Sequence, residues 1–219
     1  MISFDDIINN TQIRTYITQA DKSLQALGYT EHSFAHTTKV AEVAKYILES
    51  LHYSQREITL AQISAFLHDI GNLVNRIDHA QSGAVMAFRI LDNMGMSSDD
   101  IATVVSAIGN HDDSTAFPVN AVAAALILAD KTDVRRSRVR NLNVASFDIH
   151  DRVNYSVRDT KVVLDAECKT ITLILDIDTQ FGTIMDYFEI FLERMILCRK
   201  AAEKLKLKFH LEINGQQLL

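Results

Sequence analysis

Through the first two thirds of the chain, apolar residues recur at three- and four-residue spacing, the period that predicts helices with one buried stripe. From Phe34 to Leu51 the stripe runs through His36, Val40, Val43, Ala44, Ile47 and Leu51, which puts His36 on the buried face. Ile58 to Ile70 reads as the next helix, stopped by Gly71, and its small residues Ala61, Ser64 and Ala65, in line with His68, allow a neighbouring helix to come close. Asp78 with Gln81 three residues on has the spacing of a helix-starting cap, so His79 is expected in the first turn of a helix reaching about Asn93 and stopped at Gly95. Ser97 with Asp100 marks another start, and the face Ile101, Val104, Val105 and Ile108 ends at His111. The helix from Val119 to about Val134 is apolar all round over Ala121 to Ala129, so it is expected at the centre with Asp130 buried.

After about residue 158 the period changes to two. Val162 to Asp165, a turn through Glu167 to Lys169, and Thr170 to Ile177 read as a hairpin. An amphipathic helix follows, with Ile184, Tyr187, Phe188, Phe191, Met195, Cys198, Ala202 and Leu205 on one face, then a strand carrying Phe209, Leu211 and Ile213. The expected architecture is mainly α: a helical bundle over 1–158 with a small C-terminal α+β extension over 159–219.

Composition narrows the function classes. Seven Gly and one Pro in 219 residues leave few helix breakers, and 47% hydrophobic with 23% charged residues is ordinary for a soluble domain. A net charge of −6 argues against a nucleic-acid polymer or an anionic membrane as partner. Ala121 to Ala129 is about half the length of a membrane span. Met1 to Gln12 carries Asp5 and Asp6 and no cationic region before an apolar core, so no signal peptide is expected. Cys168 and Cys198 stand alone, which suits a reducing, cytoplasmic setting.

The chemistry lies in an ordered set of metal-ligand types: His36, His68 with Asp69, His79, His111 and Asp130. Imidazole nitrogens and carboxylate oxygens bind borderline divalent metals, and a buried Asp130 needs an ion or a cationic partner. His52, His150 and His210 read as structural, Asp112 and Asp113 as capping or solvent-exposed, and Tyr187, Phe188 and Phe191 as core.

The segments His36 to Ala44, Phe66-Leu67-His68-Asp69-Ile70-Gly71, His79 to Ala84, Ile108-Gly109-Asn110-His111 and Leu128-Ala129-Asp130-Lys131-Thr132-Asp133 resemble the motifs of the HD superfamily of metal-dependent phosphohydrolases, over roughly residues 30–135. The resemblance is to the dinuclear H…HD…H…H…D arrangement. It implies that His36, His68, Asp69 and Asp130 hold one divalent ion and that His79 and His111 hold a second, with Asp69 bridging. Mn, Fe, Zn, Co and Mg are all compatible with such a cage. It further implies a metal-bridging hydroxide attacking a small phosphate ester, a nucleotide-type phosphomonoester or phosphodiester.

His32, four residues before His36, is expected to orient the nucleophile or protonate the leaving group, joining Asp69 as a catalytic residue. Arg135, Arg136, Arg138 and Lys131 are the expected phosphate contacts, with the nearby Arg140 in the same cluster. Asn72, where the cyclic-dinucleotide branch has Lys, and the lack of its GYP segment argue against cyclic di-GMP. The Glu-Asp element of (p)ppGpp hydrolases is also missing. Competing readings are a nucleotide-binding signalling module with this fold and a di-iron oxygenase, and a homodimer is left open.

Overall fold

The helices that carry the histidines begin, with one exception, at a residue whose side-chain oxygen accepts an otherwise unpaired backbone N–H, a feature that stabilises a helix by about 1 kcal/mol. The computed structural model describes residues 2–113 and 115–219. After the short α1 (Phe4–Ile8) and α2 (Thr11–Ala26), Ser33 caps α3 (Phe34–Ser50) and Ser54 forms a reciprocal capping box with Glu57 at the head of α4 (Gln55–Leu67). Ser97 caps α6 (Ser98–Gly109) and Asn120 caps α7 (Ala121–Lys131). The exception is α5 (His79–Asn93). Asp78 precedes it in the left-handed region at φ 56° and makes no side-chain capping bond, so the expected Asp78/Gln81 cap is one of position only.

Every residue of α7 from Val122 to Ala129 is buried, and α3, α4, α6 and α9 (Ile184–Lys204) pack around it. Alanines at 123, 124, 125 and 129 keep that axis thin enough for several helices to reach it. Its last turn therefore projects Asp130 towards the facing ends of α3 and α4.

Gly71 does not stop a helix. The helix ends earlier, at Leu67, and Gly71 lies in a 3-10 turn over Ile70–Leu73. A Cβ there would overlap the His79 carbonyl oxygen and crowd the Gly83 amide nitrogen. Glycine is required because the turn lies directly on α5, and that contact brings His79 beside Asp69.

The C-terminal part follows α8 (Ile149–Ser156). β1 (Val157–Asp165) and β2 (Thr170–Ile177) form an antiparallel hairpin, β3 (Lys208–Ile213) adds parallel to β2 through the α9 crossover, and β4 (Gln216–Gln217) closes the order β1-β2-β3-β4. β1 starts earlier than the alternation predicts, because Arg158 to Lys161 lie on the edge strand with mostly exposed, polar side chains. Ile171, Leu173, Leu175, Leu211 and Ile213 turn inward against Phe191, Met195 and Cys198 of α9, and these residues join the helices in one apolar cluster.

Candidate metal centre and active-site cavity

His36 comes from the first turn of α3, His68 from the C-cap of α4, Asp69 from the next residue and Asp130 from the last turn of α7. Their inward atoms converge. His36 Nε2 lies 3.3 Å from His68 Nε2, 3.6 Å from Asp69 Oδ2 and 3.4 Å from Asp130 Oδ1. His68 Nε2 lies 3.1 Å from Asp69 Oδ2 and 3.6 Å from Asp130 Oδ1. Tetrahedral coordination with bonds of about 2.0–2.2 Å separates neighbouring donors by about 3.3–3.6 Å, so this set fits a divalent ion.

The opposite face of each ring fixes the tautomer that such an ion requires. His36 Nδ1 pairs with Asp133 Oδ2 at 2.7 Å, His68 Nδ1 with the Ala65 carbonyl at 2.7 Å, His79 Nδ1 with the Arg76 carbonyl at 3.1 Å and His111 Nδ1 with the Ile108 carbonyl at 2.6 Å. A ring that donates from Nδ1 presents the Nε2 lone pair on its other side. Each ring is therefore set to turn Nε2 away from its Nδ1 partner.

The second group is looser. Asp69 turns its other oxygen, Oδ1, towards His79 Nε2 at 3.4 Å, the disposition a bridging carboxylate needs. His111 groups with His68 and Asp69 within metal-ligand reach, and its ring lies 5.1 Å from that of His79. The expected pairing of His79 with His111 is thus completed only through Asp69 and His68.

Burial and neighbouring charges separate the protonation states. Burial pushes the His111 imidazole well below its usual range, with His68 and Lys131 adding to the effect. Burial also lowers His79, against the opposing pull of Asp69. For His68 burial acts downward, but Asp69 and Asp130 outweigh it and raise the imidazole to about 10. Burial raises the Asp69 and Asp130 carboxyls, yet His68 on the first and Lys131 on the second hold both well below the usual carboxylate range. Without an ion, a proton on His68 is the charge that these carboxylates stabilise.

Asp69, His79, His111 and Asp130 line a cavity of about 280 Å³, while His36 and His68 are fully buried. Lys131 and Arg138, two of the expected phosphate contacts, line it. Lys131 Nζ is held 2.8 Å from Asp130 Oδ2 and 3.2 Å from Asp113 Oδ1, while Arg138 donates to the carbonyls of Glu31 and Asp133. Arg135 and Arg136 do not line it. Arg135 pairs with Asp133 and Glu31, and Arg136 packs its guanidinium against the rings of Tyr155 and Phe181 and donates to the Tyr155 carbonyl. Arg140 pairs with Asp21. Asp130 is less buried than expected because it faces the cavity, and the cationic partner its burial calls for is Lys131.

His32 reaches the cavity wall from the loop before α3, not from the helix itself. Its Nδ1 pairs with the Thr30 carbonyl at 2.7 Å, and burial, reinforced by Arg138, holds the ring neutral. Sequence reasoning missed Arg76, His150 and Arg194 in the lining and assigned Phe191, which also borders the cavity, wholly to the core. It gave Asp133 no role, although the carboxylate three residues after Asp130 has the one-turn spacing that serves a neighbouring histidine.

The HD domain family model matches residues 33–138, the span that contains all six expected ligands. An uncharacterized protein of Methanocaldococcus jannaschii is 25% identical over 170 residues, 67% of this chain, and the chain spans 65% of that relative's length. The crystal structure of a predicted HD superfamily hydrolase from an uncultured Thermotogales bacterium is 28% identical, with 57% of this chain and 67% of that one covered at a TM-score of 0.46. Residues 33–138 are an HD domain.

Proposed function

We propose that this protein is a metal-dependent phosphohydrolase acting on a small phosphate ester, a nucleotide-type phosphomonoester or phosphodiester. The observation that carries the reading is the clustering of His36, His68, Asp69 and Asp130 donors at metal-ligand separations, with Asp69 and Asp130 opening onto a cavity that Lys131, Arg138, Arg76 and Arg194 also line. When bound, divalent ions would supply Lewis acidity, lowering the pKa of a water and neutralising phosphoryl charge.

The chain's own residues do the rest. Asp69 offers one oxygen to each donor group, and Asp133 and the Ala65, Arg76 and Ile108 carbonyls hold the imidazoles in the ligating tautomer. His32, neutral and with Nδ1 committed to Thr30, presents Nε2 as an acceptor. That suits orienting the attacking water and does not suit protonating a leaving group. Arg138 and Arg76 supply positive charge where the phosphate oxygens would lie.

The test is a panel of phosphomonoesters and phosphodiesters, assayed with Mn, Mg, Fe, Co or Zn beside a His68→Ala control. Metal-dependent release of product by the wild type alone is expected; no difference between the two proteins across the panel would overturn the proposal. Asn72, whose Nδ2 donates to Asp69 Oδ1 at 2.9 Å, favours a second reading in which a nucleotide is bound and not turned over. Thermal stabilisation by nucleotides with no product would select it.

A further inference from the structure

Arg76 sits between the 3-10 turn over Ile70–Leu73 and the head of α5, and its Nη1 is 3.4 Å from His79 Nε2, 3.4 Å from Asn72 Oδ1 and 3.9 Å from Asp69 Oδ1. His79 gives its Nδ1–H to the Arg76 carbonyl, so Nε2 carries the lone pair and the guanidinium is the donor. Asp69 Oδ1 accepts from Asn72 Nδ2 at 2.9 Å. The His79 and Asp69 atoms that face the second group are therefore already matched by protein N–H groups.

The first group differs. Its nitrogen and oxygen donors face one another at 3.1–3.6 Å, and Lys131 approaches Asp130 through the other oxygen, Oδ2. Two imidazole lone pairs directed at each other call for a cation between them.

We infer that the Arg76 guanidinium occupies the position of the second ion, so that this chain holds one divalent ion tightly and admits another only when Arg76 moves aside. A guanidinium and a dication about 4 Å apart in a partly buried site repel strongly, so the two are alternatives. Arg76 has room to move. Its side chain is 27% exposed, and its Cζ lies 5.7 Å from the ring centroid of the exposed Tyr29 on the cavity rim. Asn72 and Arg76 together thus determine the metal stoichiometry of the site. This deepens the hydrolase reading and rests on its two groups of donors.

The experiment strips the full chain of metal with a chelator and titrates Mn(II), with bound metal measured by elemental analysis and electron paramagnetic resonance. The wild type is expected to bind one Mn per chain with an uncoupled spectrum. Arg76→Ala is expected to bind a second, at least about tenfold tighter than any second ion of the wild type, with a spin-coupled signal. Arg76→Lys, which keeps the charge, should stay nearer the wild type. Two coupled ions of similar affinity in the wild type would overturn the inference, and so would a single ion in a folded Arg76→Ala protein. Should that variant not fold, Arg76→Gln and the wild-type stoichiometry decide the matter. A second ion gained by Arg76→Ala, with no cleavage by either protein, leaves this inference standing and removes the hydrolase reading; a wild type that loads two ions and cleaves does the reverse.

Discussion

Asp133 receives the Nδ1–H of His36 at 2.7 Å, and it is held ionised for the purpose: burial alone would raise its carboxyl, but His36, Arg138 and Lys39 lower it far below the usual range. The bond fixes the ring so that Nε2 faces His68 and Asp130. In Asp133→Asn the amide can donate to the ring as readily as accept from it, so the tautomer is no longer imposed. Metal affinity is expected to fall by about 10–100-fold while helix content is unchanged. Competition against a chromophoric chelator measures this, and an unaltered dissociation constant would show that His36 needs no orienting partner.

Gly71 tests how the turn after Asp69 is seated. Its Cα rests against the first turn of α5, so Gly71→Ala must push the turn and α5 apart. Overpacking of this kind costs about 1–3 kcal/mol. The displacement falls between Asp69 and His79, so the second donor group should open before the first. Urea unfolding should give a lower midpoint, and Mn titration should show the first ion retained with little weakening. An equally stable Gly71→Ala protein would mean that the turn relaxes freely.

Metal-free protein should be most stable near pH 6.5. His68 has its pKa raised from 6.5 to about 10, so its contribution is complete below 6.5 and is lost as the pH climbs through 10. His32, His79 and His111 have lowered values; below 6.5 the unfolded chain takes up protons that the folded chain refuses, and stability falls towards acid. Asp69 and Asp130, with depressed values, add to the acid loss as the pH drops below their ordinary 3.8. With a divalent ion in place of the His68 proton, the loss on the alkaline side should disappear, because metal then gains affinity as protons leave. Melting temperatures across this range, with and without Mn, check both arms. A flat metal-free profile between 7 and 10 would show that His68 carries no such proton.

The helical half of this arrangement is legible in the chain because each candidate ligand sits on or beside an apolar stripe of helical period. His36, His68, His111 and Asp130 follow from that pattern, and the hairpin, helix and strand at the C-terminus follow from the switch to period two. What could not be read was set by distance in sequence. Arg194 reaches the cavity from α9 and pairs with Asp113 at 3.0 Å, and His150 enters from α8; neither belongs to a local pattern. Gly71 reads as a helix stop because sequence shows that glycine is needed but not whether conformation or close approach is the cause. The run of arginines after Asp130 looks uniform, whereas Arg135 and Arg138 both reach Glu31 and Asp133 but only Arg138 lines the cavity, Arg136 packs on Tyr155 and Phe181, and Arg140 pairs with Asp21.

That divergence gives the last expectation. Arg138 lines the cavity, although Nε and Nη1 are engaged by the Glu31 and Asp133 carbonyls; Arg136 packs against Tyr155 and Phe181, and Arg135 is turned to Glu31 and Asp133. Inorganic phosphate, the product of any phosphomonoester hydrolysis, is a direct probe of the difference. Loss of one charged hydrogen bond is worth about 1.5–3 kcal/mol, so Arg138→Gln should weaken phosphate binding to the Mn-loaded protein by about tenfold or more. Arg136→Gln should leave it within about twofold, since only long-range, screened attraction is removed. Arg135→Gln should fall nearer to Arg136→Gln, with a small loss of stability from the Asp133 pair. Isothermal titration calorimetry gives the three constants, and melting curves separate the stability loss from the binding loss. If Arg136→Gln weakened phosphate as much as Arg138→Gln, the anion would have to lie against the Tyr155 and Phe181 rings, away from the His36 and Asp130 donors, and the cavity would not be the phosphate site.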